Sequence, residues 1–208
     1  QLLLQRARAL FDLGEIQAGL ASLDEPPVAE SDDAAVHLQA GVMLCDLSFY
    51  DRALERLERA RALGMDGPRL SYLFGLSSMY CGREVDARDA FQACLRADPD
   101  FAPAARLLST LRRQLPCDNH VDALRAALSR LPQAHAFAPL LHYALFKELD
   151  DLDDPRAAWP HLEEGMRLRR AQLAYNEGAD VALFESLLRW EPAACASPHR
   201  RLRCRPTG

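Results

Sequence analysis

Apolar residues recur every three or four positions through most of this chain, with charged residues filling the intervals. Between Asp51 and Ala62, Ala53, Leu54, Leu57 and Ala60 fall on one side of a helical turn, and Arg52, Glu55, Glu58 and Arg59 on the other. That spacing predicts a helix, and the same pattern predicts others before and after it. A last amphipathic stretch, Ala179 to Trp190, puts Val181, Phe184, Leu187 and Leu188 on one face, and Glu191-Pro192 ends it. Asp154-Pro155 reads as an N-cap followed by proline at the first helical position, and Asp51 and Asp100 suit the same capping role.

The pattern also repeats on a longer scale. Gly41 and Gly75 are 34 residues apart, and so are Ala53 and Ala87, Leu57 and Phe91, and Ala60 and Cys94. The expected turn positions Gly14, Ser48 and Gly82 keep the same period. One step earlier, Ala7, Gly19 and Leu23 fill the corresponding sites. Small residues at these columns let two helices approach closely, while Leu57 and Phe91 fill the space between neighbours. Pro99 ends a second helix by removing a donor and crowding the preceding turn.

Composition points the same way. Alanine and leucine make up 70 of the 208 residues, against 7 for valine plus isoleucine. Sheets draw on β-branched side chains that this chain hardly has, so an all-α fold is expected. The net charge of −5 argues against a general nucleic-acid binder. The bases are 24 arginines and one lysine, Lys147, which with so much alanine suggests a GC-rich bacterial coding sequence. No apolar run reaches the length of a membrane span, and no signal peptide is visible, so a cytoplasmic protein is expected. The six cysteines form no CxxC pair and are expected to be free thiols.

No enzyme signature stands out. There is no glycine-rich phosphate loop, no HExxH and no G-x-S-x-G. The acidic run Asp150, Asp151, Asp153 and Asp154 lacks the glycine and distal glutamate of a calcium loop and reads as a solvated cap. Cys117 and His120, and Cys195, His199 and Cys204, do not supply four ligands at zinc spacing. No catalytic residue, cofactor or metal is therefore expected.

A 34-residue period of paired amphipathic helices resembles the tetratricopeptide repeat (TPR). Pro68 to Asp100 is the best copy, with Gly75, Ala87, Phe91, Cys94 and Pro99 in place; Ser71 stands where the family has tryptophan. The resemblance implies a right-handed superhelix of antiparallel hairpins, about five over residues 1–176 (1–33, 34–67, 68–101, 102–136 and 137–176). A closing helix over 177–192 and an irregular basic tail over 193–208 would follow. In such a stack the first helices line a concave groove. Register then places Gln39, Asp46, Arg69, Tyr72, Met79, Tyr80, Arg106, Arg113 and His142 toward it, with Leu38, Val42, Leu73, Leu76, Thr110 and Glu148 among their neighbours. Tyrosine and arginine are favoured interface anchors. The expected partner is a protein or peptide of acidic character, with no nucleic acid and no membrane. The groove asparagines of chaperone-binding TPR modules are missing, since only Asn119 and Asn176 occur.

A narrower resemblance covers the last third. LHYALFKELDDLDD (141–154), AAWPHLEEGMRLRR (157–170) and YNEGADVALFESLL (175–188) look like the junction of bacterial TPR–sulfotransferase proteins. That likeness implies the non-catalytic N-terminal part of an enzyme using the sulfate donor PAPS. The family's Pro-Arg-Ser-Gly-Thr loop does not occur, so no catalytic residue carries over.

Overall fold

The computed structural model describes residues 1–132, 135–173 and 175–189. The tail expected over 193–208 and the stop at Glu191-Pro192 lie outside them. The chain divides into two compact units, Gln1–Arg169 and Arg170–Gly208. Every regular element among the described residues is a helix; one isolated bridge joins Leu115 and Asp118.

In the first unit the helices come in pairs: α1 (Leu2–Asp12) with α2 (Ile16–Asp24), α4 (Ala34–Asp46) with α5 (Tyr50–Ala62), and α6 (Pro68–Tyr80) with α7 (Glu84–Ala97). A one-turn helix α3 (Pro26–Ala29) precedes α4. Then come α8 (Ala102–Leu111) and α9 (Val121–Arg130), which pack on α10 (Ala138–Asp151) rather than on each other, and α11 (Pro155–Gln172), which meets α10 where Gly165 lies against Tyr143. Helix α12 (Glu177–Arg189) belongs to the second unit and buries none of its side chains.

The repeat columns meet as their periodicity requires. A Cβ on Gly41 would stand 2.8 Å from Leu57 Cδ2, and a Cβ on Gly75 would stand 2.7 Å from Phe91 Cε1. Ala53, Leu57, Ala60, Ala87, Phe91 and Cys94 have no exposed surface. Burying a leucine or phenylalanine completely contributes roughly 1.5–3 kcal/mol, so these columns hold each hairpin shut.

The turns repeat as well. Gly14, Ser48 and Gly82 adopt φ of 79°, 63° and 75°, and Asp153 does the same job before α11 at 59°. Each turns the chain in the left-handed region, so that the next N–H reaches back into the helix: Phe49 N to Leu44 O at 2.9 Å, Arg83 N to Ser78 O at 2.8 Å. Asp154 caps α11 by accepting from Ala157 N at 3.1 Å. Asp51 and Asp100 differ from expectation: Asp51 sits inside the first turn of α5, and Asp100 accepts from Arg130 Nε at 2.8 Å.

The strict period ends after α7. The α8–α9 connector, Arg112 to His120, is far longer than the three-residue turns of the preceding hairpins. Asp151 and Glu148 of α10 hold it: Gln114 N donates to Asp151 Oδ2 at 2.8 Å, and His120 N donates to Glu148 Oε2 at 2.6 Å. Lys147 pairs with the same Asp151. Glu148 is fully buried, and this is where the structure spends the residue that register placed beside the groove.

Candidate functional site

The first helices of the first three pairs share one face. There α1, α4 and α6 enclose a depression of about 480 Å³ whose polar groups are Gln1, Gln5, Arg8, Gln39 and Arg69. Its apolar floor includes Leu38 and Val42. Neither Arg8 nor Arg69 makes an ion pair among the described residues. The arrangement offers two free guanidinium groups and several amides above an apolar floor, which suits a chain segment carrying carboxylates.

The structure brings Gln39 and Arg69 together in this depression and distributes the other expected residues elsewhere. Asp46 is exposed at the end of α4. Tyr72 is half-buried, with its ring 5.1 Å from that of Phe101 and 6.2 Å from that of Phe91. Burial, and then the neighbouring Cys45, pushes the Tyr72 phenol up. Met79 packs against the same cluster, which includes Phe91 and Leu108. Tyr80 stacks on Tyr50 of α5, with centroids 4.2 Å apart and planes within 10°.

Arg106 is half-buried on α8. Its Nη1 has no partner, and burial lowers its pKa against the opposing effect of Tyr143. Arg113 lies in the α8–α9 connector rather than on a first helix. It donates to the Asp151 carbonyl at 3.2 Å and to Asp153. His142 faces His161 of α11, Nδ1 to Nδ1 at 3.1 Å, and burial depresses both rings.

Gln5 and Arg8 are contributors that the sequence reading missed. Subtracting the repeat length from Gln39 leads to Gln5, so the signal was present; Arg8 falls in the column of Val42 and carries none.

A larger depression, about 730 Å³, crosses α5 and α7. Arg61 lies 4.4 Å over the Phe74 ring there, and Arg83 bonds both Glu58 and Asp86. Its three arginines face three carboxylates, so it offers no net attraction to a charged ligand.

Among the described residues no group of three or more His, Cys, Asp or Glu side chains converges as a metal site. No described helix is long and apolar enough to cross a membrane. Cys45, Cys81, Cys94 and Cys117 are free thiols. Burial pushes Cys94 up to about 12, which leaves it an inert packing residue.

No protein-family model matches the chain, and no curated protein sequence matches it. Solved structures do match. A crystal structure of MamA is 13% identical over 81% of this chain and 97% of its own, with a TM-score of 0.63. MamA 41-end from Desulfovibrio magneticus RS-1 is 22% identical over 82% of this chain and 95% of its own, also at 0.63. YrrB, described as a TPR protein with an unusual peptide-binding site, is 19% identical over 81% and 85%, at 0.60. The fold is the all-α, TPR-type superhelix of antiparallel helix hairpins.

Proposed function

We propose that this chain is a binding scaffold of about five TPR-like hairpins over residues 1–176, and that its groove takes extended, acidic peptide segments. The observation that carries the reading is the depression between α1, α4 and α6, where Arg8 and Arg69 stand without ion-pair partners above Leu38 and Val42. Coulomb attraction to carboxylates would set the association rate, and the apolar floor would hold side chains between them. The likeness to YrrB, a peptide-binding TPR protein, supports the same use of the fold.

The test is fluorescence anisotropy with labelled acidic, neutral and basic peptides of equal length. Acidic peptides should bind tightest, and affinity should fall as salt screens the guanidinium groups. Arg69→Ala or Arg8→Ala should weaken binding several-fold, while Glu55→Ala on the exposed side of α5 should leave it unchanged. Equal effects from both faces would reject the groove. The alternative, that the chain is the non-catalytic part of a PAPS-dependent sulfotransferase, rests on the sequence words between residues 141 and 188. Measurable sulfate transfer by the 208-residue chain would reverse the non-enzymatic reading.

A further inference from the structure

Helices α10 and α11 bring two imidazoles together from positions 19 residues apart, so no ligand spacing along the chain announces the pair. His142 Nδ1 and His161 Nδ1 stand 3.1 Å from each other. Two nitrogens held by one ion at roughly 2.0–2.1 Å stand about 2.9 Å apart at a right angle and about 3.3 Å apart at a tetrahedral angle. The observed separation falls between these, so a tilt of the rings lets one ion bridge them with no shift of either helix. The helices themselves are set by Gly165, one turn beyond His161. A Cβ on it would stand 3.1 Å from His142 Cβ and 3.0 Å from Tyr143 Cε1.

The surroundings suit a cation. Burial above all lowers the pKa of both rings below 6.5, so at neutral pH each is uncharged and has a lone pair to give. Glu164 follows His161 by three residues on the same face of α11, and it is the leading charge acting on His142. His142 and Glu164 line one depression of about 290 Å³, walled otherwise by Leu128, Leu131, Pro132 and Ala138. The Glu164 carboxylate accepts from Arg167 at 2.6 Å; turned toward His142, it would add an oxygen beside the two nitrogens. Arg125 and Arg167 are the nearby cations, and each has a carboxylate against it, Asp122 at 3.6 Å and Glu164 at 2.6 Å.

We propose that His142 and His161 chelate one late divalent transition ion, of the class that imidazole favours (Zn²⁺, Ni²⁺ or Cu²⁺), and that this ion staples α11 to α10. Two protein nitrogens and the Glu164 carboxylate supply the ligands, and water takes the remaining positions in the depression. The rings bind as neutral imidazoles. The proton shared along the Nδ1–Nδ1 contact moves to Nε2 of the ring that donated it, so no net proton is released. The site uses neither Arg8 nor Arg69 and stands apart from peptide binding.

The experiment is a titration of the 208-residue chain, free of any affinity tag, with Ni²⁺ alone at neutral pH, followed by calorimetry and by NMR of the imidazole protons. One equivalent should bind, and the paramagnetic ion should broaden the signals of His142 and His161 ahead of those of His37, His120 and His135. His142→Gln and His161→Gln should each abolish that binding with helicity unchanged, and Glu164→Gln should weaken it. Ni²⁺ should also shield both histidines of the wild type from diethyl pyrocarbonate, read by mass spectrometry, a measurement that needs no variant. Absence of one-to-one binding, binding that survives either histidine substitution, or broadening that spares this pair would each overturn the site. Unchanged affinity in Glu164→Gln would remove the carboxylate from it.

Discussion

Gly75 lies so close to Phe91 that a Cβ on it would stand 2.7 Å from Cε1 of the ring and 3.2 Å from the Ala87 carbonyl oxygen. One repeat earlier, Gly41 stands in the same relation to Leu57 and Ala53. The rigid ring and the backbone carbonyl leave α6 nowhere to move. Gly75→Ala is therefore expected to lose about 1–3 kcal/mol by overpacking, although alanine is the better helix former. Adding Phe91→Leu should return part of the loss, a non-additivity that a double-mutant cycle in urea would measure. Ala87→Leu should overpack the same contact.

The turn residue Ser48 offers the opposite outcome. It holds φ at 63°, where its periodic equivalents are both glycine. An L-residue there costs about 1–2 kcal/mol of conformational strain, which glycine relieves while adding freedom to the unfolded chain. Ser48→Gly should therefore raise stability by up to about 1 kcal/mol. A higher urea midpoint at unchanged m-value is the expected reading; a lower one would refute it.

The α8–α9 connector depends on one buried carboxylate. Glu148 accepts from His120 N at 2.6 Å and stands 3.0 Å from His120 Nδ1. Glu148→Ala leaves buried polar groups unpaired and should cost about 1–3 kcal/mol. Hydrogen exchange should quicken across Arg112–His120 before the rest of the first unit. Glu148→Gln keeps one acceptor and should fall between.

The facing histidines give a pH dependence with a definite sign. Burial lowers the pKa of both His142 and His161 below the usual 6.5. Glu164 opposes this at His142, Arg167 adds to it there, and His142 and Arg125 add to it at His161. The unfolded chain then binds more protons than the folded one as pH falls below 6.5, so unfolding is favoured there. Stability from this pair should be complete above that pH and decline below it. A His142→Gln, His161→Gln double variant should flatten the profile of urea midpoints between pH 7 and 5.

The repeat was legible because its causes are local. A small residue every 34 positions, an apolar residue facing it one helix later and a turn residue between them recur in α4–α5 and α6–α7 and meet as their spacing requires. Gln39 and Arg69 were legible for the same reason, since register on a first helix sets which face they occupy. Arg113 and Glu148 were not. Both lie beyond the point where the α8–α9 connector breaks the period, and register no longer tells which side chain faces which.

The sequence by itself determined the all-helical composition, the period and the close helix contacts, because i to i+4 geometry and side-chain size act over one or two turns. Only the tertiary structure decided the route of Arg112–His120 across α10 and the meeting of His142 with His161. Each of these joins side chains from different helices. The long connector freed α9 from the repeat register, and packing against α10 then fixed its place.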